Sequence, residues 1–371
     1  MTNIDCAIVL AGGKGTRLRP LTLHKPKPLV PVAKTPMIDF ALVQLQKAGI
    51  KKVIVAVKYL GEQIRAYLKD NEIFSDLEII IPDINPIGTA DAVRQSADHI
   101  DGDFVVSMAD VVSDINIGKM VEFFKKTGAY ATISLKNIDF PTKKFGVIML
   151  DAEQNIEIFL EKPRASDLLF TSLAFAYRPV KAFHHNLVNT GFYVFKHKVL
   201  DILEKYADII DFGKHVFPYL LHERFKLNGF VGDYYWMDCG NVQSYLWANW
   251  DVLRGFIPSF KPPGQLKDNS WFGNNVSLGA GVKINSPVLI GENVQIGDNC
   301  IIGPNTIIHD GCIIENDCSI SNSVLWDEVF VGHHSILDAA VMCEKSALAP
   351  YSELSSYTAI PKNEKVQRAV V

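Results

Sequence analysis

Residues 12–32 read GGKGTRLRPLTLHKPKPLVPV, a combination suited to holding a polyphosphate. Gly12, Gly13 and Gly15 follow a short apolar run, Cys6 to Leu10, that reads as a buried strand. Glycine has no Cβ, so the chain can turn sharply there and bring backbone N–H groups close to an anion. Arg17 and Lys27 add side-chain positive charge, and Pro26 and Pro28 hold the backbone around Lys27 extended. A bare G-x-G would read as a surface loop; a string this long is far more specific. Two other phosphate loops are excluded. The pattern GxxxxGK[ST] is absent, and Gly13-Lys14-Gly15-Thr16-Arg17-Leu18 lacks the third glycine of GxGxxG.

Carboxylates for a metal come from elsewhere. Asp110 follows the apolar run Phe104–Met108 in VVSMADVV, so a strand would deliver it at its carboxyl end, where open α/β sheets bind ligands. Asp238 lies in YYWMDCGN. Mg²⁺ keeps most of its waters and takes one or two protein carboxylates plus phosphate oxygens, and two aspartates from distant segments suit that.

The string GGxGTRLxPLT…PKPLVPV resembles the signature of the sugar-1-phosphate nucleotidyltransferases (nucleotide-sugar pyrophosphorylases), and is most similar to that of the mannose-1-phosphate guanylyltransferases. The resemblance implies attack by a sugar-phosphate oxygen on the α-phosphorus of a nucleoside triphosphate, with pyrophosphate leaving and Mg²⁺ as cofactor. It implies a nucleotide cradle of Leu10, Ala11, Gly12, Gly13, Gly15 and Thr16. Arg17 would stabilise the α/β phosphates and the departing pyrophosphate, and Lys27 the phosphates of the reacting pair. The segment Asn85-Pro86-Ile87-Gly88-Thr89-Ala90-Asp91 resembles the family's P-L-G-T-A loop. There Pro86 and Gly88 would meet base or sugar, and Thr89 would also cap the next helix. By resemblance the residue five before this glycine reads the base edge. Here it is Asp83, where Glu or Gln is more usual, and an acceptor-only carboxylate suits the guanine N1 and N2 donors. Asp238 resembles the aspartate of the family's W-x-D-x-G segment, which completes the metal site with Asp110. Glu161-Lys162-Pro163 resembles E-K-P, the glutamate accepting from sugar hydroxyls and Lys162 gripping the sugar phosphate. Gly146, Asn189 and Thr190 complete the expected sugar pocket, and Phe145 stands where Tyr is frequent. The stretch 164–188 is longer than the usual loop and apolar; it would cover the sugar or pack on a neighbouring subunit.

GTP with mannose 1-phosphate, giving GDP-mannose, is the leading expectation. Open alternatives are a glucose- or N-acetylglucosamine-1-phosphate enzyme using UTP, dTTP or ATP, and a non-catalytic regulatory subunit. A further acetyltransferase activity would need a base such as His309, His333 or His334.

These groups must be carried by a chain of 371 residues, 48% hydrophobic and 21% charged, with net charge −4. That length allows two domains, and the weakly acidic balance argues against nucleic acid as a partner. No apolar run reaches membrane-spanning length, and MTNIDCAIVLAGG has no basic leader region. A cytoplasmic location is expected, with the six cysteines reduced and no CxxC zinc pair.

From residue 5 to about 254, apolar strands alternate with helical patterns. Strands are expected at Ala7–Leu10, Val53–Val57, Glu78–Ile81, Phe104–Met108, Ala131–Leu135, Ile156–Leu160 and Phe192–Phe195. Helices are expected at Met37–Lys47, with Thr35 as cap and Pro36 at its first position, and near Leu60–Lys69, Ala90–Ala97 and Ile117–Lys126. This is an α/β class, a Rossmann-like, mostly parallel sheet over residues 1–254. Residues 255–275, dense in Pro and Gly, read as a linker. From Val276 to 352 a six-residue period runs through thirteen hexads with one dropped residue after Trp326. It is a hexapeptide signature, and by resemblance a left-handed parallel β-helix serving as scaffold and homo-oligomer contact. Residues eighteen apart, such as Cys300 and Cys318, should stack on adjacent coils, and 353–371 is left as a tail.

Overall fold

The computed structural model describes residues 4–69, 71–138, 147–160 and 187–367. Phe145, Gly146, Glu161, Lys162 and the stretch 164–186 lie outside the described residues. Contacts divide the chain into two compact units, each assembled from separate segments: residues 1–13, 41–109 and 115–236, and residues 14–40, 110–114 and 237–371.

The first unit is built on a nine-stranded sheet. Cys6–Ala11 lies centrally, parallel to Lys52–Val57 on one side and Phe104–Met108 on the other, and Glu78–Ile80 continues the parallel half. All six residues of Cys6–Ala11 are buried, so the apolar run has both faces covered. The other half turns antiparallel around the long strand Leu187–Phe195, which pairs with Phe104–Met108 and Ala131–Asn137. Helix Ile117–Thr127 shows how the flanking elements form. Ile117, Met120, Val121 and Phe124 are buried on one face at helical spacing. Asn116 accepts from the Lys119 N–H at its start, and Gly128 ends it in the left-handed region.

The second unit contains the β-helix. Short strands from Ser270–Phe272 to Lys365–Val366 stack in three parallel sheets, and Gln265–Lys267 folds back antiparallel on the first of them. Ile290, Ile296, Ile302, Ile308, Ile314 and Ile320 point inward and pack in one core. Cys300 and Cys318 sit beside the paired residues Ile301 and Ser319, and all six cysteines are free and buried.

Three details depart from the sequence expectation. Two strands lie within 255–275, and the coil runs through Glu353–Leu354, Ala359–Ile360 and Lys365–Val366, into the stretch left as a tail. The hexad rhythm slips twice rather than once. Leu325 and Met342 are the inward residues, so the steps from Ile320 and from Leu337 are each a residue short. Trp326 instead faces outward and is buried there, its Nε1 donating to the Tyr245 hydroxyl at 2.9 Å. Third, Thr35 and Pro36 do not begin the helix. They pair with Pro31–Val32, and the two-residue turn between places Ala33 and Lys34 at φ 46° and 68°. The helix itself spans Met37–Lys47. No described helix is long and apolar enough to cross a membrane.

Helix Val242–Leu253 and the segment 25–34 pack on the coil within this unit. The helix starts with a capping box of Asn241 and Ser244. Its Trp250 donates to Asn322 O, and Arg254 at its end donates to Asn305. Lys25 pairs with Glu344, which also meets Lys362 at 3.2 Å. Burial alone would raise the Glu344 pKa, but the hydrogen bonds and charges of Lys25 and Lys362 outweigh it and hold the carboxyl below its usual 4.5. Its ion pairs therefore stabilise the fold fully above about pH 4.5, and that contribution disappears as pH falls through the depressed native value. Thermal melts from pH 7 to 3 should show an acid loss of Tm that is shallower in Glu344→Gln.

Candidate active site

The four side chains expected to be catalytic all lie in the second unit, and three of them touch. Lys27 stands at the start of a short 3₁₀ turn, Lys27–Leu29, and is almost wholly buried. Its Nζ donates to Asp110 Oδ2 at 2.8 Å and to Asp238 Oδ1 at 3.2 Å. Burial alone would lower the ammonium's pKa. The charges of Asp110 and Asp238, with the hydrogen bond to Asp110, reverse this and leave it raised. A raised ammonium keeps its charge below its ordinary pKa of 10.5, and its ion-pair stabilisation is lost only as pH rises through the higher native value.

Arg17 completes the cluster. Its Nη2 lies 3.8 Å from Asp238 Oδ2, and most of the side chain reaches solvent. It projects from the turn Thr16–Leu18, which Leu18 anchors in the core. Gly15 is needed just before it, for two reasons. Its φ is +58°, and a Cβ there would come within 3.0 Å of Thr22 Cγ2 and 3.1 Å of Lys27 Cβ. Gly240 plays a part that motif reading quoted but did not assign. A Cβ on it would lie 3.2 Å from both Arg17 Nη2 and Asp238 Oδ2. The bare backbone at 240 thus leaves room for the guanidinium over Asp238.

The two carboxylates fit a hard divalent cation. They offer oxygen donors, they are partly exposed, and they come from separate segments, which leaves coordination positions for water and phosphate. Asp110 follows the strand Phe104–Met108, and Asp238 ends the strand Trp236–Asp238.

Of the remaining described residues expected in the site, Gly15 and Thr16 belong to the second unit and the others to the first. Leu10 and Ala11 are buried in the strand, whereas Gly13 is exposed. Beyond it, Lys14 and Thr16, counted with the second unit, are exposed as well. Asp83 is exposed and lines a cleft of about 490 Å³ with Lys58, Gln63, Arg65 and Asn85. Pro86 is buried, its carbonyl accepting from Lys58 Nζ. Gly88 is required by packing: a Cβ would sit 2.1 Å from Ile210 O, the carbonyl that accepts from Ala90 N. Thr89 is not the cap of the helix Thr89–Arg94; Gly88 occupies that position. The Thr89 hydroxyl accepts from Phe212 N and donates to Asp211. Asp91, quoted in the motif without a role, is the buried clamp of this loop. It accepts from Ile87 N at 2.8 Å and pairs with Arg94.

Asn189 donates to the Tyr193 hydroxyl and accepts from Gly191 N, both at 3.0 Å. The Thr190 hydroxyl is buried against Ser134 and the Tyr234 hydroxyl, while its carbonyl accepts from Trp236 Nε1. Burial pushes the Tyr234 phenol up to about 12, partly offset by its hydrogen bonds to Thr190 and Ser134.

Fold and site together define a transferase of nucleotidyl groups with an appended β-helix. The nucleotidyl transferase family profile matches residues 6–255, and that of the EIF2B subunit epsilon LbH domain, a left-handed β-helix, matches residues 267–371. This chain belongs to the nucleotidyl transferase family. It is 33% identical over 277 residues to a probable mannose-1-phosphate guanylyltransferase 1 of Oryza sativa subsp. japonica, covering 73% of this chain and 70% of the relative. It is 32% identical to mannose-1-phosphate guanylyltransferase 1 of Arabidopsis thaliana, with the same coverage. It is 29% identical to a UTP–glucose-1-phosphate uridylyltransferase of Synechocystis sp. (73% and 69% covered).

Replacing Gly240 by Ala should displace the guanidinium while leaving the fold intact. Pyrophosphate release is expected to fall about tenfold or more, as a misplaced catalytic group commonly does, with Tm changed by no more than about 2 °C.

Proposed function

We propose that this protein is a cytoplasmic enzyme that condenses GTP with mannose 1-phosphate to give GDP-mannose and pyrophosphate. The observation that carries the site assignment is the buried Lys27 ammonium between Asp110 and Asp238, with Arg17 beside it. A sugar-phosphate oxygen forms a bond to the α-phosphorus. The bond from that phosphorus to the α,β-bridging oxygen breaks, and pyrophosphate leaves with the electron pair. The protein's task is to align two anions that repel one another and to neutralise the charge that builds on the leaving group. The loop 12–16 offers N–H groups to the triphosphate. Arg17 bridges phosphate oxygens on the leaving side, a geometry a planar guanidinium suits and an ammonium does not. Lys27 presents a charge that no working pH removes. When bound, Mg²⁺ held by Asp110 and Asp238 supplies further positive charge to the phosphates.

Similarity to two guanylyltransferases favours GTP and mannose 1-phosphate, and similarity to the uridylyltransferase keeps UTP with glucose 1-phosphate as the second reading. Asp83 supports the first: an exposed carboxylate in a cleft accepts the hydrogens that guanine N1 and N2 present. Self-association through the β-helix is part of the same proposal. Ile301, Ile313 and Ile336 are exposed on its outward faces, where a second copy would cover them.

Pyrophosphate release should be measured with Mg²⁺ across GTP, UTP, dTTP and ATP against mannose, glucose and N-acetylglucosamine 1-phosphates. Dominance of GTP with mannose 1-phosphate is the expected result. A peak elsewhere would keep the chemistry and change the substrates, whereas silence throughout would make the chain a non-catalytic relative. In Asp83→Gln the ratio of GTP to UTP turnover should fall about tenfold, and an unchanged ratio would remove Asp83 from base recognition.

A further inference from the structure

The segment that presents Lys27 is anchored on both sides, and the anchors belong to the β-helix or to the helix packed on it. Two residues before Lys27, the Lys25 ammonium pairs with Glu344 and lies 5.3 Å over the Trp326 ring. Four residues after it, Pro31 O accepts from the Tyr245 hydroxyl at 2.8 Å, and that hydroxyl in turn accepts from Trp326 Nε1. Tyr245 and Trp326 are both fully buried. Ala33 N donates to Asn249 Oδ1 at 2.8 Å, and Lys34 pairs with Asp310 on the coil.

The anchoring also bears on backbone strain. Ala33 and Lys34 both occupy the left-handed region, which is unfavourable for an ordinary L-residue. Glycine or asparagine would hold such a turn without help. Here neither is present, and the hydrogen bond from Ala33 N and the ion pair of Lys34 fall on the two strained residues themselves. Strain of this kind persists only where the surroundings over-determine it. Between the anchors at 25 and 31 the chain is fixed locally by Leu29 N to Pro26 O and Val30 N to Lys27 O. The direction of the Lys27 side chain is therefore tied to the two ends.

We propose that the β-helix is a working part of the active site, with Glu344, Asp310 and Trp326 acting as positioning residues that hold the Lys27 segment in its catalytic geometry. This rests on the role given to Lys27 above and adds to it: the hexapeptide domain positions the catalytic lysine in addition to any part in assembly.

The test uses the full-length enzyme and compares Glu344→Gln and Asp310→Asn in the wild-type and Lys27→Met backgrounds. In the wild-type background each should lower kcat about tenfold or more with KM for GTP within about twofold, since a misplacement of about 1 Å is enough. In Lys27→Met, which has no ammonium left to misplace, the same changes should cost little further. Amide hydrogen exchange provides a readout independent of turnover, and the hydrogen-bonded amides of Leu29 and Val30 should lose protection in both variants. Asp310 is at the exposed rim, so Asp310→Asn keeps the test valid if Glu344→Gln fails to fold. Wild-type kcat in the variants, an equal fractional loss in both backgrounds, or unchanged exchange at Leu29 and Val30 would overturn the proposal. An inactive wild-type chain would count against the nucleotidyltransfer reading alone, and the exchange result would then decide this one.

Discussion

One buried positive charge organises this protein. Lys27 carries an ammonium out of solvent, and burial of an unpaired charge is too costly to tolerate. It is accommodated because Asp110 and Asp238 meet it from two distant segments of the sequence. The pairing brings together the Lys27 turn, Asp110 and the W-x-D-x-G segment, the carboxylates lying 83 and 211 residues from the lysine. The two carboxylates serve twice. They keep the lysine charged, and under the proposed function they would also hold the divalent cation. Removing either partner would leave charge exposed to a low dielectric, so the cluster is conditional on all three members.

The β-helix shows how a repetitive structure is adapted to a particular neighbour. Stacked hexads bury an inward column of Ile, Leu, Val and Met with no need of the remaining chain. The two shortened steps break that regularity. After the first, Trp326 faces outward and hydrogen-bonds Tyr245, and the tyrosine reaches the backbone of the lysine segment. Leu289, Ile307, Val324 and Val341 are also buried along the sheet that contains these strands, whereas Ile301, Ile313 and Ile336 on the other two stay exposed.

Much of this was legible in the sequence, for physical reasons. The strand Phe104–Met108 and the helix Met37–Lys47 fall where apolar runs and periodicity place them, because each buries one continuous apolar surface. Glycines at 12, 13 and 15 and the charges of Arg17, Lys27, Asp110 and Asp238 stood out through motif length. The second slip in the coil was hidden because Cys343 and Met342 are both apolar, so either fits the inward position by composition. Thr35 and Pro36 mimic a helix start, yet the left-handed turn at Ala33 and Lys34 commits them to a strand pair. Gly88 stood out through its motif, but the packing need for glycine there, with Ile210 O in the space its missing Cβ leaves, was not visible in the sequence. Lys25, Lys34 and Glu344 carried no signal at all: charged residues without a motif look the same whether they face water or hold a catalytic segment.

The Lys27 amine is the one strong nucleophile this cluster could offer, and Asp110 and Asp238 hold it as an ammonium with no lone pair to attack with. Cys239, next to Asp238, is fully buried, and burial pushes its thiol pKa up, far from a reactive thiolate. Nucleotidyl transfer on this arrangement is therefore expected to be a single displacement between two aligned substrates. The stereochemical course at the α-phosphorus tests this most directly. With one diastereomer of guanosine 5′-(1-thiotriphosphate), or of the matching analogue of whichever nucleotide is turned over, and the sugar 1-phosphate, direct attack predicts inversion at phosphorus in the product. Retention would mean two displacements through a covalent enzyme intermediate, and would contradict a site that works by alignment and charge alone.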